Sequence, residues 1–236
     1  MRMGFLTSFC CTDGECQIIL GKIPDALNNL LSIISYRLVN GENEIIDNET
    51  VSGVCSCLVN ILGRCLQQDI YNAKLFLQCD GLKILNLLLS KLFESITPGH
   101  LHDVVNRAMR AFASACFALT LYLSKLDNNN NDDDNYYNIS SNEIRQKYYL
   151  NNSQVLDIAR IVIYLFDNVL LDSSSASALV FVVVNFCELL RIMKNINGIE
   201  SFLLFRQSLS PSNIGNVYYS IILIVIVPCL LSINFV

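Results

Sequence analysis

A chain of 236 residues is long enough to form one large domain or two small ones. Hydrophobic residues make up 53% of the chain and charged residues 16%, which excludes a wholly disordered protein, since disorder requires low hydrophobicity and high net charge. The net charge is −5 and no basic stripe is present, so the sequence does not indicate a nucleic-acid-binding protein.

Apolar residues recur with helical spacing along most of the chain. The first stripe, for example, contains Leu27, Leu31 and Ile34 at intervals of three and four residues. The helices predicted from such stripes cover residues 27–38, 51–66, 82–93, 104–123, 155–169 and 179–193. No long segment alternates with period two, so the predicted fold class is all-α.

Capping and turn residues lie at the expected ends of these helices. Thr97-Pro98 provides a cap and a first-turn proline before the fourth helix. Asn152 and Ser173 begin segments that are typical of helix N-termini, and Asp80-Gly81 and Asn197-Gly198 provide left-handed turns. Residues 127–142 are rich in asparagine and aspartate, and we expect a disordered surface loop there.

Two segments of the chain are similar to each other. Residues 16–31 and 72–89 both predict a short helix, a glycine turn at Gly21 or Gly81, and a leucine-rich helix. A longer helix follows each of them after a polar loop. These third helices, and a later one, contain Asn60, Thr120 and Asn185 within small and apolar sequence.

This pattern resembles the armadillo-like superfamily of helical repeats, which includes the related HEAT repeats. An armadillo repeat has a short first helix, a glycine turn, a second helix and a third helix with a Leu-x-Asn-Leu element. The matching units here are 13–67, 68–126 and 142–195, with the start of a fourth at 196–206. The resemblance implies an armadillo-like α-solenoid of about three irregular repeats, in which stacked hairpins form one continuous core.

The resemblance also implies a use for three polar residues. In armadillo proteins the third helices line a groove in which asparagines hold the backbone of an extended partner. Asn60 and Asn185 match those asparagines, and Thr120 stands where a third would be. The alternative is that these side chains cap or cross-link neighbouring helices. The predicted partner is a protein, bound as a peptide or a helix.

The ten cysteines do not predict a metal site. Most of them lie within apolar helical stripes, so we expect reduced thiols buried in the core. Cys10, Cys11 and Cys16 lack the spacing of zinc ligands, and the only histidines, His100 and His102, do not share a helical face. No phosphate-binding loop or nucleophile motif is present. We therefore predict a protein without cofactors or enzymatic activity.

The last twenty residues, 217–236, carry no charge and match the thickness of a bilayer. They predict a C-terminal hydrophobic helix, separated from the domain 1–206 by a linker at 207–216. Tyr218 and Tyr219 would lie at one membrane interface. The remaining predicted anchor residues are Ile221, Ile222, Leu223, Ile224, Val225, Ile226, Val227, Leu230 and Leu231.

Three interpretations of this tail remain open from the sequence. It is a membrane anchor, the last buried helix of the domain, or translated non-coding sequence at the end of a truncated gene. The leading functional prediction is a cytoplasmic, non-enzymatic scaffold that binds a partner in a solenoid groove. The alternatives are a tail-anchored membrane protein with a cytosolic helical domain, and a fragment of a larger armadillo-like protein.

Overall fold

The structure is a computed structural model that describes residues 25–40, 48–63, 71–94, 103–129, 141–148, 150–168 and 173–194. These residues are almost entirely helical and contain no strand, which confirms the all-α prediction. The helices are α1 (Ala26–Asn40), α2 (Asn48–Gly63), α3 (Tyr71–Gln78), α4 (Gly81–Glu94), α5 (Asp103–Asn129), α6 (Ser141–Lys147), α7 (Asn152–Asn168) and α8 (Ser173–Ile192).

The six longer helices form two rows. In one row α5 lies between α2 and α8 and has its most extensive contacts with these two helices. In the other row α4 contacts both α1 and α7. Each helix of one row also contacts the next helix along the chain in the other row, giving the pairs α1–α2, α4–α5 and α7–α8. The short helices α3 and α6 precede α4 and α7 and both contact α5.

Small side chains allow α5 to be covered on two sides. Every residue from Ala111 to Cys116 is buried, although a helix on a protein surface normally exposes one face in each turn. Four of these six residues are alanine or serine, so the neighbouring helices can approach closely. Phe112 is the large exception, and its ring packs at 5.5 Å between centroids against Phe186 of α8.

Helices α1 and α4 begin in the same way. Asp25 and Asp80 precede them with positive φ angles of 62° and 53°. The carbonyl of each aspartate accepts the first backbone hydrogen bond of its helix, from Asn29 and Ile84 respectively. The equivalent residues are therefore Asp25-Ala26-Leu27 and Asp80-Gly81-Leu82. The sequence comparison matched Gly21 with Gly81 instead, and Gly21 lies outside the described residues.

The N-terminus of α7 is capped by Asn151, one residue before the Asn152-Ser153 pair that the sequence indicated. The side-chain oxygen of Asn151 accepts a hydrogen bond from the backbone N–H of Gln154 at 2.9 Å. In return, the Gln154 side-chain oxygen accepts one from the backbone N–H of Asn151 at 3.1 Å. This reciprocal arrangement is a capping box, and it fixes the point at which α7 begins.

Three predicted segments differ from the structure or lie outside the described residues. The predicted loop 127–142 is shorter, because α5 continues to Asn129 and α6 begins at Ser141. The predicted linker 207–216 and tail 217–236 lie outside the described residues. None of the helices in the described ranges is long and apolar enough to cross a membrane.

The Gly81 turn provides a test of the packing between α3 and α4. A Cβ atom at residue 81 would overlap the ring of Phe76, and Phe76 is fully buried and cannot move away freely. We expect Gly81→Ala to lower the free energy of unfolding by about 1–3 kcal/mol in urea titrations, because the turn must shift.

Gly53 is the matched control, because it is half-buried in the interior of α2. Gly53→Ala should raise stability by up to about 1 kcal/mol through helix propensity alone. Equal effects of the two substitutions would contradict the proposed overlap at Gly81.

Candidate functional site

The three predicted partner-binding residues lie on the three neighbouring helices of one row: Asn60 on α2, Thr120 on α5 and Asn185 on α8. Asn60 is half-buried, whereas Thr120 and Asn185 are buried. The Thr120 hydroxyl donates to the carbonyl of Cys116 at 2.9 Å, and the Asn185 amide donates to the carbonyl of Phe181 at 2.7 Å. The side-chain donors of Thr120 and Asn185 are therefore each hydrogen-bonded to a backbone carbonyl of their own helix.

The solvent sides of α2 and α5 are joined by side chains. The hydroxyl of Ser52 donates to Asp103 at 3.4 Å, and one turn further along, Arg107 donates to the hydroxyl of Ser56 at 2.8 Å. Residue numbers increase together along the two helices, so α2 and α5 run parallel. Arg107 also forms an ion pair with Asp103 at 2.7 Å, which orders this part of the surface.

Four side chains of α5 that are not fully buried, Arg107, Arg110, Phe117 and Leu121, are separated by three, seven and four residues, which is the spacing of one helical face. We call these residues, together with those of α2 at the same surface, the α2–α5 face. It consists of Ser52, Ser56, Asn60, Arg107, Arg110, Phe117 and Leu121. It therefore combines an exposed guanidinium, a partly exposed aromatic ring and polar side chains.

The described cysteines behave as core residues. All five are free thiols, and Cys55, Cys57, Cys116 and Cys187 are buried while Cys79 is half-buried. Burial raises the pKa of the Cys55 thiol to about 12. It also raises the pKa of Cys116 well above its ordinary value. Since the thiolate is the nucleophile, these buried thiols are poorly suited to catalysis.

Alkylation measures the difference in reactivity between partly exposed and buried thiols. In the native protein at about pH 8, iodoacetamide should modify Cys79 before Cys55 or Cys116, because Cys79 is partly exposed whereas the other two are buried. Peptide mapping by mass spectrometry identifies the modified residues. The same reaction in denaturant is the control, in which all three should react. Rapid native modification of Cys55 would contradict its burial.

A cavity lies where α3, α5 and α6 meet. Its larger lobe has a volume of about 260 Å³ and is lined by Lys74, Leu77, Gln78, Tyr122, Glu143, Ile144, Lys147 and Tyr148. A smaller lobe of about 90 Å³ is lined by Leu77, Asp80, Leu82, Lys83, Lys147, Tyr148, Leu150 and Gln154. Leu77, Lys147 and Tyr148 line both lobes, so the two adjoin. We call the pair the α3–α6 cavity.

Aromatic and cationic groups are concentrated at this cavity. The Lys147 ammonium lies 5.1 Å from the centroid of the Tyr148 ring. Burial raises the pKa of the Tyr122 hydroxyl, and the neighbouring Tyr148 raises it further. Tyr122 therefore remains a neutral hydrogen-bond donor at physiological pH.

Arg145 holds the α6 wall of the cavity in place. Its buried guanidinium donates to the Ile192 carbonyl at the end of α8 at 2.8 Å. It also donates to Asn142 at 3.2 Å and pairs with Asp127 of α5 at 2.5 Å. One side chain thus connects α5, α6 and α8, although α6 is only seven residues long.

Removal of this guanidinium should destabilise the domain. We expect Arg145→Met to lower the free energy of unfolding by about 2 kcal/mol, because it leaves the Ile192 carbonyl and Asp127 without this partner. Arg160→Met is the control, since the side chain of Arg160 is 60% exposed and lies 3.8 Å from Asp157. The control should change stability by less than about 0.5 kcal/mol. Similar losses in both variants would contradict the role of Arg145.

The sequence did not predict the α3–α6 cavity. Its lining residues lie on five helices, α3 to α7, or next to them, and they include no motif or unusual residue type. Within the described ranges, no group of three histidine, cysteine or acidic residues could hold a metal ion.

Comparison with known proteins identifies no relative. No family model, curated protein or solved structure matches this chain. The armadillo resemblance therefore remains an interpretation of the repeat pattern, and the arguments for function come from the residues themselves.

Proposed function

We propose that this protein is a non-enzymatic interaction scaffold, an armadillo-like α-solenoid that binds a peptide of a protein partner on the α2–α5 face. The observation that carries the proposal is the parallel arrangement of α2 and α5, with Ser52 bonded to Asp103 and Ser56 bonded to Arg107. Helices that follow each other as third helices of successive repeats are expected to run parallel and side by side in a solenoid.

The contacts between the other helices support the same arrangement. Helix α5 lies between α2 and α8, and α4 lies between α1 and α7, so corresponding helices of successive units are neighbours. The matched starts of α1 and α4 at Asp25 and Asp80 add a local similarity between the first two units. A globular bundle has no need for either regularity.

The chemistry of the α2–α5 face suits an extended peptide. Asn60 is half-buried on α2, and its side-chain amide contains both a donor and an acceptor. Arg110 is exposed and Phe117 is partly exposed, so a peptide there can form polar and apolar contacts along one helix. Asn185 and Thr120 are buried, and we expect them to stabilise their helices rather than to contact the peptide.

Site-specific photo-crosslinking in cells tests the proposal. p-Benzoylphenylalanine in place of Phe117 should crosslink a discrete protein partner, because Phe117 lies on the α2–α5 face. The matched control is the same substitution of Tyr36, an aromatic residue on α1 that is 64% exposed. Tyr36 lies in the other helical row and should give no crosslink to that partner.

A second measurement uses the partner peptide that the crosslink identifies. We expect Asn60→Ala with Arg110→Glu to weaken its binding to the purified protein by about tenfold or more, with an unchanged circular dichroism spectrum. Identical crosslinks from residues 36 and 117, or wild-type affinity in the double variant, would contradict the proposed face.

A further inference from the structure

The α3–α6 cavity is separate from the α2–α5 face, because none of the residues of that face lines it. Its larger lobe, at about 260 Å³, is close to the lower end of the roughly 300–1,000 Å³ that small-molecule sites occupy. The described cavity is therefore large enough for a compact molecule with a single ring system. It is too small for a nucleotide or a long-chain lipid.

The lining of the cavity favours an aromatic body. Leu77 and Ile144 provide apolar surface, and the rings of Tyr122 and Tyr148 lie on the same lobe. A planar ring between such groups forms stacked or edge-to-face contacts as well as burying apolar area. The Tyr122 hydroxyl adds one hydrogen-bond donor at the wall.

The charges of the cavity favour an anion. Two lysines and one carboxylate line each lobe: Lys74, Lys147 and Glu143 in the larger, and Lys83, Lys147 and Asp80 in the smaller. Lys147 is common to both lobes, so it lies at their junction. A carboxylate of the ligand at this junction would be close to Lys147 while the ring fills the larger lobe.

We infer that the α3–α6 cavity is a binding site for a small aromatic carboxylate, with its ring among Leu77, Tyr122 and Ile144 and its carboxylate at Lys147. This inference does not depend on the proposed scaffold function. The ligand class follows from the combination of an apolar aromatic lobe with a lining that carries three lysines and two carboxylates in total.

The test compares three probes that share an indole ring and differ in charge: indole-3-acetate, the neutral indole-3-ethanol and the cationic tryptamine. The chain contains ten tyrosines but no tryptophan, so fluorescence anisotropy excited at the red edge of the indole band, where tyrosine does not absorb, reports the probe alone. Indole-3-acetate should bind with a dissociation constant of roughly 0.1–1 mM. Indole-3-ethanol should bind more weakly and tryptamine most weakly. An equal affinity for all three, or no saturable binding, would overturn the inference.

Charge reversal locates the carboxylate. Lys147→Glu should weaken indole-3-acetate binding by about fivefold or more and reduce the discrimination against tryptamine. Lys91→Glu is the matched control, because Lys91 is an exposed lysine on α4 that does not line the cavity. It should leave the affinities unchanged. Equal effects of the two variants would show that only net charge matters and would overturn the site.

A third variant tests the position of the ligand ring. It also keeps the inference testable if Lys147→Glu does not fold. Tyr122→Phe keeps the ring and removes the hydroxyl, so indole-3-acetate binding should persist with a loss of about two- to tenfold. Lys147→Gln serves as a neutral substitute for the reversed charge and should also weaken binding. Wild-type affinity in both Tyr122→Phe and Lys147→Gln would overturn the assignment.

Discussion

The structure depends on the close approach of α2 and α8 to opposite sides of α5. The run from Ala111 to Cys116 makes this possible, because alanine and serine side chains leave room for helix backbones on both flanks while Phe112 fills the space towards α8. A larger side chain at Ala113 or Ala115 would have no space to enter, since both are completely buried. Every helix except α1 and α7 contacts α5 directly, so the row structure follows from this one helix.

The helices themselves were predictable because helical periodicity is local. The stripe at Leu27, Leu31 and Ile34 is buried as the pattern requires, and the same is true of Leu82, Leu85 and Leu89 in α4. The likeness between the starts of α1 and α4 could not be predicted from glycines. Asp25 and Asp80 both adopt the left-handed conformation that glycine usually occupies, so a search for equivalent glycines does not detect it.

The candidate sites were predictable only in part. The sequence pattern assigned Asn60, Thr120 and Asn185 to corresponding helices, and the structure places them on α2, α5 and α8, of which α5 contacts the other two. The burial of Thr120 and Asn185 could not be derived, because it depends on how the neighbouring helices pack. The α3–α6 cavity could not be found either, since an empty volume results from the fit of several helices and leaves no pattern in the sequence.

The two candidate sites share α5 but use different parts of it. Tyr122 lies about a quarter turn around the helix from Leu121, so one residue faces the cavity while the other belongs to the α2–α5 face. Arg145 provides a second physical connection, because its guanidinium joins the α6 wall of the cavity to the last carbonyl of α8 and to Asp127 of α5. Helix α6 has few other contacts, and among the described helices only α5 packs against it. A ligand that fixed the position of α6 would therefore act on α8 through this hydrogen bond, at the end of the helical row that also contains α2 and α5.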